Sequence, residues 1–327
     1  MNKFYIENKE DLKVLIVNTA RKKNISEVII EKDYWVTIIL DYLFNENKWK
    51  EYFTFKGGTS LSKCFGLIER FSEDIDLILD WRVLGYEEKE PWIERSNTKQ
   101  DKFNKEINVK TEIFLRDKLL KVLEKDLKNL GFEFSIDRID QQTILCKYPK
   151  IFESNYLAQN IRLEIGSLAA LTPAIEVEIL PIIGEAYPNV FRIKTNIRTV
   201  SAERTFWEKA TILHHEANRP EYSSMPHRYA RHFYDLYKIT NSDIKNKALE
   251  DKDLLKKVIE FKMKFYPRKW AKYEEALNGR LRLVSAEYRF SEIEKDYRAM
   301  SEMIYGNYPK FEDIIKTLKQ LENEINS

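Results

Sequence analysis

Two aspartates one residue apart, Asp74 and Asp76, lie in the run Arg70-Phe71-Ser72-Glu73-Asp74-Ile75-Asp76-Leu77, a short way after Lys56-Gly57-Gly58-Thr59-Ser60. On an extended strand successive side chains point to opposite faces. The two aspartates therefore share one face, while Ile75 and Leu77 enter a core on the other. Side-by-side carboxylates repel unless a cation separates them, and Mg²⁺ takes one or two carboxylates together with substrate phosphates. Gly57 and Gly58 lack a Cβ, so backbone N–H groups can come close to a triphosphate, and Thr59 and Ser60 can open a helix whose N-terminus favours anions. Alone, a Gly-Gly pair marks a turn and an Asp-x-Asp marks the wet face of an edge strand. Together they point to metal-dependent nucleotidyl transfer, with Asp74 and Asp76 on Mg²⁺ and Gly58, Thr59 and Ser60 seating the phosphates.

These residues need elements to position them. Tyr52 to Phe55 reads as the strand entering the glycines, Leu61, Phe65 and Ile68 as a helix over 61–69, and Ile75 to Leu79 as the strand carrying the carboxylates. Upstream, apolar periodicity predicts a helix from about Ile25 to Phe44, with Asn24 or Ser26 as its cap. A polar insertion over about 84–110 precedes a helix from about Val109 to Leu130 that ends at Gly131. Three strands follow, Phe132 to Ile136, Thr143 to Tyr148 and Ile161 to Ile165. In the last, strict alternation puts Arg162 and Glu164 on one face, opposite Ile161, Leu163 and Ile165. Glu164 is thereby a candidate third carboxylate, as metal ligand or general base; Glu176 and Glu178 in Ile175-Glu176-Val177-Glu178-Ile179 compete by the same alternation. From Ser201, an N-cap, the pattern turns helical, which divides the chain into a core over 1–200 and a helical domain over 201–327.

The sequence resembles the AbiEii/AbiGii-type nucleotidyltransferase toxins of the polymerase-β-like nucleotidyltransferase superfamily. The resemblance rests on Glu31-Lys32-Asp33-Tyr34-Trp35, Lys56-Gly57-Gly58-Thr59-Ser60, Phe71-Ser72-Glu73-Asp74-Ile75-Asp76, Ile161-Arg162-Leu163-Glu164-Ile165, Glu208-Lys209-Ala210 and Arg231-His232-Phe233-Tyr234-Asp235-Leu236. It implies an α/β (α+β) polymerase-β-like core with a mixed sheet, then a mostly helical C-terminal domain that closes over the cleft. It implies a toxin of a bacterial toxin–antitoxin or phage-defence pair that transfers a nucleotide from an NTP with two Mg²⁺ ions. The acceptor so implied is tRNA, at its 3′ end, and the partner a cognate antitoxin. Superfamily members place a third acid on a neighbouring strand, the position assigned to Glu164 in this chain. Lys209 is implied to face the nucleotide phosphates, with Lys56 and Arg204 stabilising them. Relatives often have Arg-Asp where this chain has Arg231-His232, which leaves Asp235 as the nucleotide-site acid; an Arg231–Asp235 surface pair is the plainer expectation.

With 327 residues, 43% of them hydrophobic, the chain can bury the core of one large domain or two smaller ones. The polar N-terminus and the lack of an apolar run near 20 residues predict neither a signal peptide nor a membrane span, and a cytoplasmic setting. Cys64 and Cys146 read as small buried residues rather than nucleophiles. Net charge is only +2, but residues 201–289 hold 19 basic and 13 acidic side chains. This segment is the candidate nucleic-acid face. Within it Lys262-Met263-Lys264-Phe265-Tyr266-Pro267-Arg268-Lys269-Trp270-Ala271-Lys272-Tyr273 interleaves cations with aromatics, as phosphate neutralisation with base stacking requires; a solvated helix face over packed aromatics explains the same letters. His214, His215, His227 and His232 match no zinc spacing and read as partly charged groups near that face. Two other functions fit the same residues: nucleotidylation of a protein hydroxyl, and a catalytically silent nucleotide- or RNA-binding module. Retention of two repelling carboxylates argues against the second.

Overall fold

Runs rich in Ile, Leu, Val and Phe build one seven-stranded mixed sheet in the computed structural model, which describes residues 3–72, 74–154 and 160–327. The strands are β1 (Phe53–Lys56), β2 (Asp74–Leu79), β3 (Glu133–Ile136), β4 (Thr143–Lys147), β5 (Asn160–Gly166), β6 (Ala174–Ile179) and β7 (Thr195–Val200), in the spatial order β3-β4-β5-β2-β1-β7-β6. The β2/β5 and β1/β7 pairs are parallel and the other neighbours antiparallel. Glu73 of the aspartate motif lies outside the described residues.

Helices α1 (Lys9–Lys23), α2 (Glu27–Asp41), α3 (Gly57–Lys63), α4 (Asn97–Phe114), α5 (Leu120–Asp126) and α6 (Ile182–Ala186) accompany the sheet. Helix α2 is buried on every side from Val28 to Asp41, including the charged Glu31, Lys32 and Asp33. A helix without a wet face is a core element, and α2 packs with Phe53, Phe55, Ile75 and Leu77 in the main apolar cluster. Asn24 adopts φ 54° as the C-cap of α1 rather than capping α2, and Ser26 stands at the α2 N-cap without a side-chain bond. The long helix begins at Asn97, not near Val109: Gln100, Phe103 and Ile107 are buried at helical spacing in a stretch whose lysines and asparagines suggested a polar insertion. Between α4 and α5 the chain makes a π-helical turn over Leu115–Leu119.

The chain falls into two compact units, Met1–Cys64 with Ser72–Val200, and Phe65–Phe71 with Ser201–Ser327. The helix expected over 61–69 stops at Lys63, and Gly66 turns at φ 62°. Residues 65–71 instead join the second unit through backbone pairing: Phe71 N–H donates to Met303 O at 2.7 Å and Tyr305 N–H to Glu69 O at 3.0 Å. That unit holds α7 (Ala202–Ala217), α8 (Ala230–Thr240), α9 (Ile244–Glu250), α10 (Lys252–Phe265), α11 (Tyr273–Leu277), α12 (Phe290–Ala299) and α13 (Phe311–Asn326). Ser201 caps α7, its hydroxyl accepting from Arg204 N–H, and Trp207 Nε1 donates to Ala248 O at 3.1 Å.

Candidate active site

β2 pairs with β1 on one side and β5 on the other, and its register assembles the site. Asp76 lies opposite Lys56 of β1 and Glu164 of β5, and Asp74 opposite Arg162. Partners in register present the same face, so Asp74, Asp76, Arg162 and Glu164 emerge together. Glu176 and Glu178 lie on β6 at the sheet's edge, exposed, with Glu178 3.4 Å from Lys194; β1 and β7 stand between them and β2.

Helix α3 begins at Gly57 itself, directly after β1. Gly57 has φ 83°, and a Cβ there would lie 1.9 Å from Asp76 Oδ2. Only glycine allows both that backbone conformation and that approach. The Thr59 hydroxyl donates to Asp74 O and the Ser60 hydroxyl to Gly57 O at 2.9 Å, so both hold the shape of the turn. Gly58, Thr59 and Ser60 are buried; Lys56 and Gly57 are half-buried. First-turn N–H groups have no partner within a helix, and no side chain caps α3 at Lys56.

Arg162 is the residue sequence reasoning left without a role. Its Nη1 donates to Asp137 Oδ2 at 2.8 Å, and its Nε lies 3.3 Å from Glu164 Oε1 and 3.6 Å from Asp74 Oδ1. Its place on the Glu164 face was visible in the alternation; its partner Asp137, just past β3, was not. The N–H groups of Ile139 and Asp140, with Arg162, hold the Asp137 carboxyl below the usual carboxylate range. Burial raises the Glu164 carboxyl, Asp74 and Asp76 raise it further, and Arg162 opposes them. The residues fit a hard cation: three carboxylates share one face, and two of them already burden the third with negative charge. Among the described residues no three His, Cys, Asp or Glu side chains converge closely enough to hold a metal ion by themselves.

The remaining expected residues belong to the helical unit. Lys209 of α7 donates to Asp235 Oδ2 at 2.7 Å and lies 3.2 Å from His232 Nδ1. Asp235, fully buried, also accepts from Arg70 Nε at 2.6 Å and Nη2 at 2.8 Å. The plain i,i+4 pair is absent: Arg231 is exposed and Asp235 faces inward. Burial works against the Asp235 charge, but Arg70 and Lys209 outweigh it and hold the carboxyl far below its ordinary value. Burial draws the Lys209 ammonium down, against the pull of Asp235. Arg204 is buried, its Nε 3.1 Å from Glu208 Oε1.

Burial also corrects the histidine expectation, whereas Cys146 is buried and Cys64 half-buried, in keeping with packed residues rather than nucleophiles. His214 Nδ1 accepts from Arg282 N–H at 2.9 Å and its Nε2 lies 3.0 Å from Lys272 O, the pattern of a neutral ring. His215 is pushed down to about 4, and His232 well down, each chiefly by burial, so neither is partly charged near neutral pH. The Cys64 thiol is pushed up to about 12 by burial. In the 262–273 stretch Phe265 and Tyr273 are core residues, and Trp270 packs 4.3 Å from the His215 ring. Tyr266, Arg268, Lys269 and Lys272 are exposed.

A glycine–helix turn laid against strand-borne carboxylates in a mixed α/β sheet is the arrangement of a nucleotidyltransferase. The chain matches the family described as "Nucleotidyl transferase AbiEii toxin, Type IV TA system" over residues 38–317, and it belongs to that family. It is similar to the nucleotidyltransferase toxin MenT4 of Mycobacterium tuberculosis H37Rv, at 15% identity and a TM-score of 0.47, covering 95% of this chain and 97% of that one. It is also similar to JHP933 of Helicobacter pylori, at 15% identity and a TM-score of 0.37, covering 90% and 95%. No curated protein sequence matches it. The chain is therefore a toxin-type nucleotidyltransferase, and no helix among its described residues is long and apolar enough to cross a membrane.

Gly57→Ala should be damaging out of proportion to one methyl group. A left-handed backbone costs an L-residue about 1–2 kcal/mol, and the added Cβ must displace Asp76. A lower thermal midpoint together with a transfer rate reduced roughly tenfold or more is expected in parallel melting and turnover measurements.

Proposed function

We propose that this protein transfers a nucleotide from an NTP to an RNA hydroxyl, with the 3′ end of tRNA as acceptor and divalent metal as cofactor, as the toxin of a toxin–antitoxin or phage-defence pair. The observation that carries this is the approach of Gly57 to Asp76 beside the register pair Asp76–Glu164. The α3 backbone seats the phosphates, and Lys56 adds positive charge at its start. Asp74 and Asp76 would hold Mg²⁺. When bound, the metal neutralises triphosphate charge as it develops in the transition state. Glu164 accepts the proton of the attacking hydroxyl. An oxygen–phosphorus bond forms at the α-phosphorus, the bond to the bridging oxygen breaks, and pyrophosphate leaves. Arg162, beside Asp74 and Glu164, offsets the mutual repulsion of the carboxylates on this face. Asp235 acts through Lys209 and Arg70, whose charges it fixes in place, and Arg204 is ordered by Glu208. The exposed cations Arg268, Lys269 and Lys272, with Tyr266, supply phosphate neutralisation and stacking for RNA.

The test is incubation of the purified protein with Mg²⁺, each α-³²P-labelled NTP in turn and total bacterial tRNA, beside the double variant Asp74→Ala, Asp76→Ala. Label on tRNA with one nucleotide, lost in the variant, is expected. Label on protein would replace the acceptor with a protein hydroxyl, and no label with any NTP or acceptor would leave a binding module.

A further inference from the structure

Asp33 and Lys63 take no part in the chemistry above, yet they form a buried ion pair at the far end of the phosphate-binding helix. Helix α3 has seven residues and opens with two glycines, so it has little helical stability of its own and its place depends on contacts. At its start the Thr59 hydroxyl ties it to Asp74 O. At its end the Lys63 ammonium donates to Asp33 Oδ1 and lies 3.4 Å from Leu180 O. The other Asp33 oxygen accepts from Ile182 N–H, the first residue of α6, at 2.6 Å. The two side chains are 11% and 5% exposed. Asp33 rides on α2, which is buried throughout, so the carboxylate is carried by one of the most rigid elements of the fold. A desolvated pair that joins three elements confers little net stability but a defined geometry.

We propose that Asp33 is a positioning residue: through Lys63 it sets where α3 presents Gly57 and Gly58 to the nucleotide phosphates. This rests on the transferase function proposed above. Its signature is a defect specific to the nucleotide, because α3 is assigned no contact with the acceptor.

The experiment measures KM for NTP, KM for tRNA, thermal midpoint and amide hydrogen exchange of residues 57–63 in Asp33→Asn, Lys63→Met, their double variant and Lys63→Arg. Both single variants are expected to raise KM for NTP roughly 10- to 100-fold while KM for tRNA stays within about twofold. They should also speed exchange in α3. Lys63→Arg, which keeps the ion pair, should recover both readouts, and the double variant should be no worse than the poorer single one. Unchanged KM for NTP with unchanged exchange would overturn the proposal. So would a loss shared equally between the two substrates that follows the thermal midpoint. If the wild-type protein transfers no nucleotide, it is the parent function that fails, and α3 exchange still decides whether the clamp exists.

Discussion

Asp76→Ala is expected to lower nucleotide transfer by about 10³-fold or more while leaving the fold in place. Asp76 is only half-buried and faces the same side as two other carboxylates, so its removal relieves repulsion and costs little stability. What is lost is the carboxylate that faces Gly57 and stands in register with Glu164. Asp76→Asn separates charge from shape. It should be nearly as inactive, with an unchanged circular dichroism spectrum, and an active Asn variant would exclude a cation-holding role. Glu164→Gln should lose less and should also change the shape of the pH profile. Wild-type activity should show an acid limb set by the Glu164 carboxyl, which burial, Asp74 and Asp76 raise in the metal-free protein and a bound cation lowers. Below that point the carboxyl is protonated and accepts no proton. The limb should disappear in Glu164→Gln, as rate measurements across pH would show.

Asp235→Asn is expected to be the most destabilising single change in the helical unit, by about 3–5 kcal/mol, because it removes the carboxylate shared by two buried cations. Arg70 binds it through two parallel N–H bonds, and Lys209 takes the second oxygen as well. The loss should depend on pH with a defined sign. Asp235 has a folded-state pKa depressed below its ordinary value of 3.8, so its stabilisation is present above that value and is lost as the pH falls further, towards the folded value. Urea denaturation of wild type and variant should therefore show a constant gap above pH 5 or so that narrows in stronger acid. A gap independent of pH throughout would mean that the carboxylate charge is not what is being lost.

The arrangement of the candidate site was legible in the linear chain because its parts are local. Asp74 and Asp76 share a face by the two-residue period of a strand, and Gly57-Gly58 announces a backbone that must approach something closely. The same period placed Arg162 with Glu164, and it left Glu176 and Glu178 as rivals, since alternation says which face a residue takes but not which strand lies next door. Strand order separates them: β5 adjoins β2, whereas β6 is at the sheet's edge. Helix limits were harder to read where polarity misled. The buried stripe of Gln100, Phe103 and Ile107 is hidden among lysines and asparagines, and Leu61, Phe65 and Ile68 mimic helical spacing across a chain that turns away at Gly66.

By itself, then, the sequence determined the elements and the residue types able to do chemistry, because propensity, periodicity and glycine freedom act over a few neighbouring residues. Tertiary structure alone decided which charges meet. Asp235 could have paired four residues away with Arg231 on a wet helix face, but it is enclosed with Arg70 and Lys209, 165 and 26 residues distant. Asp33 could have been a solvated carboxylate, but it lies in a helix buried on all sides and finds Lys63 and the Ile182 N–H. A charge removed from water must find its partner wherever packing has brought one, and separation along the chain places no bound on where that is.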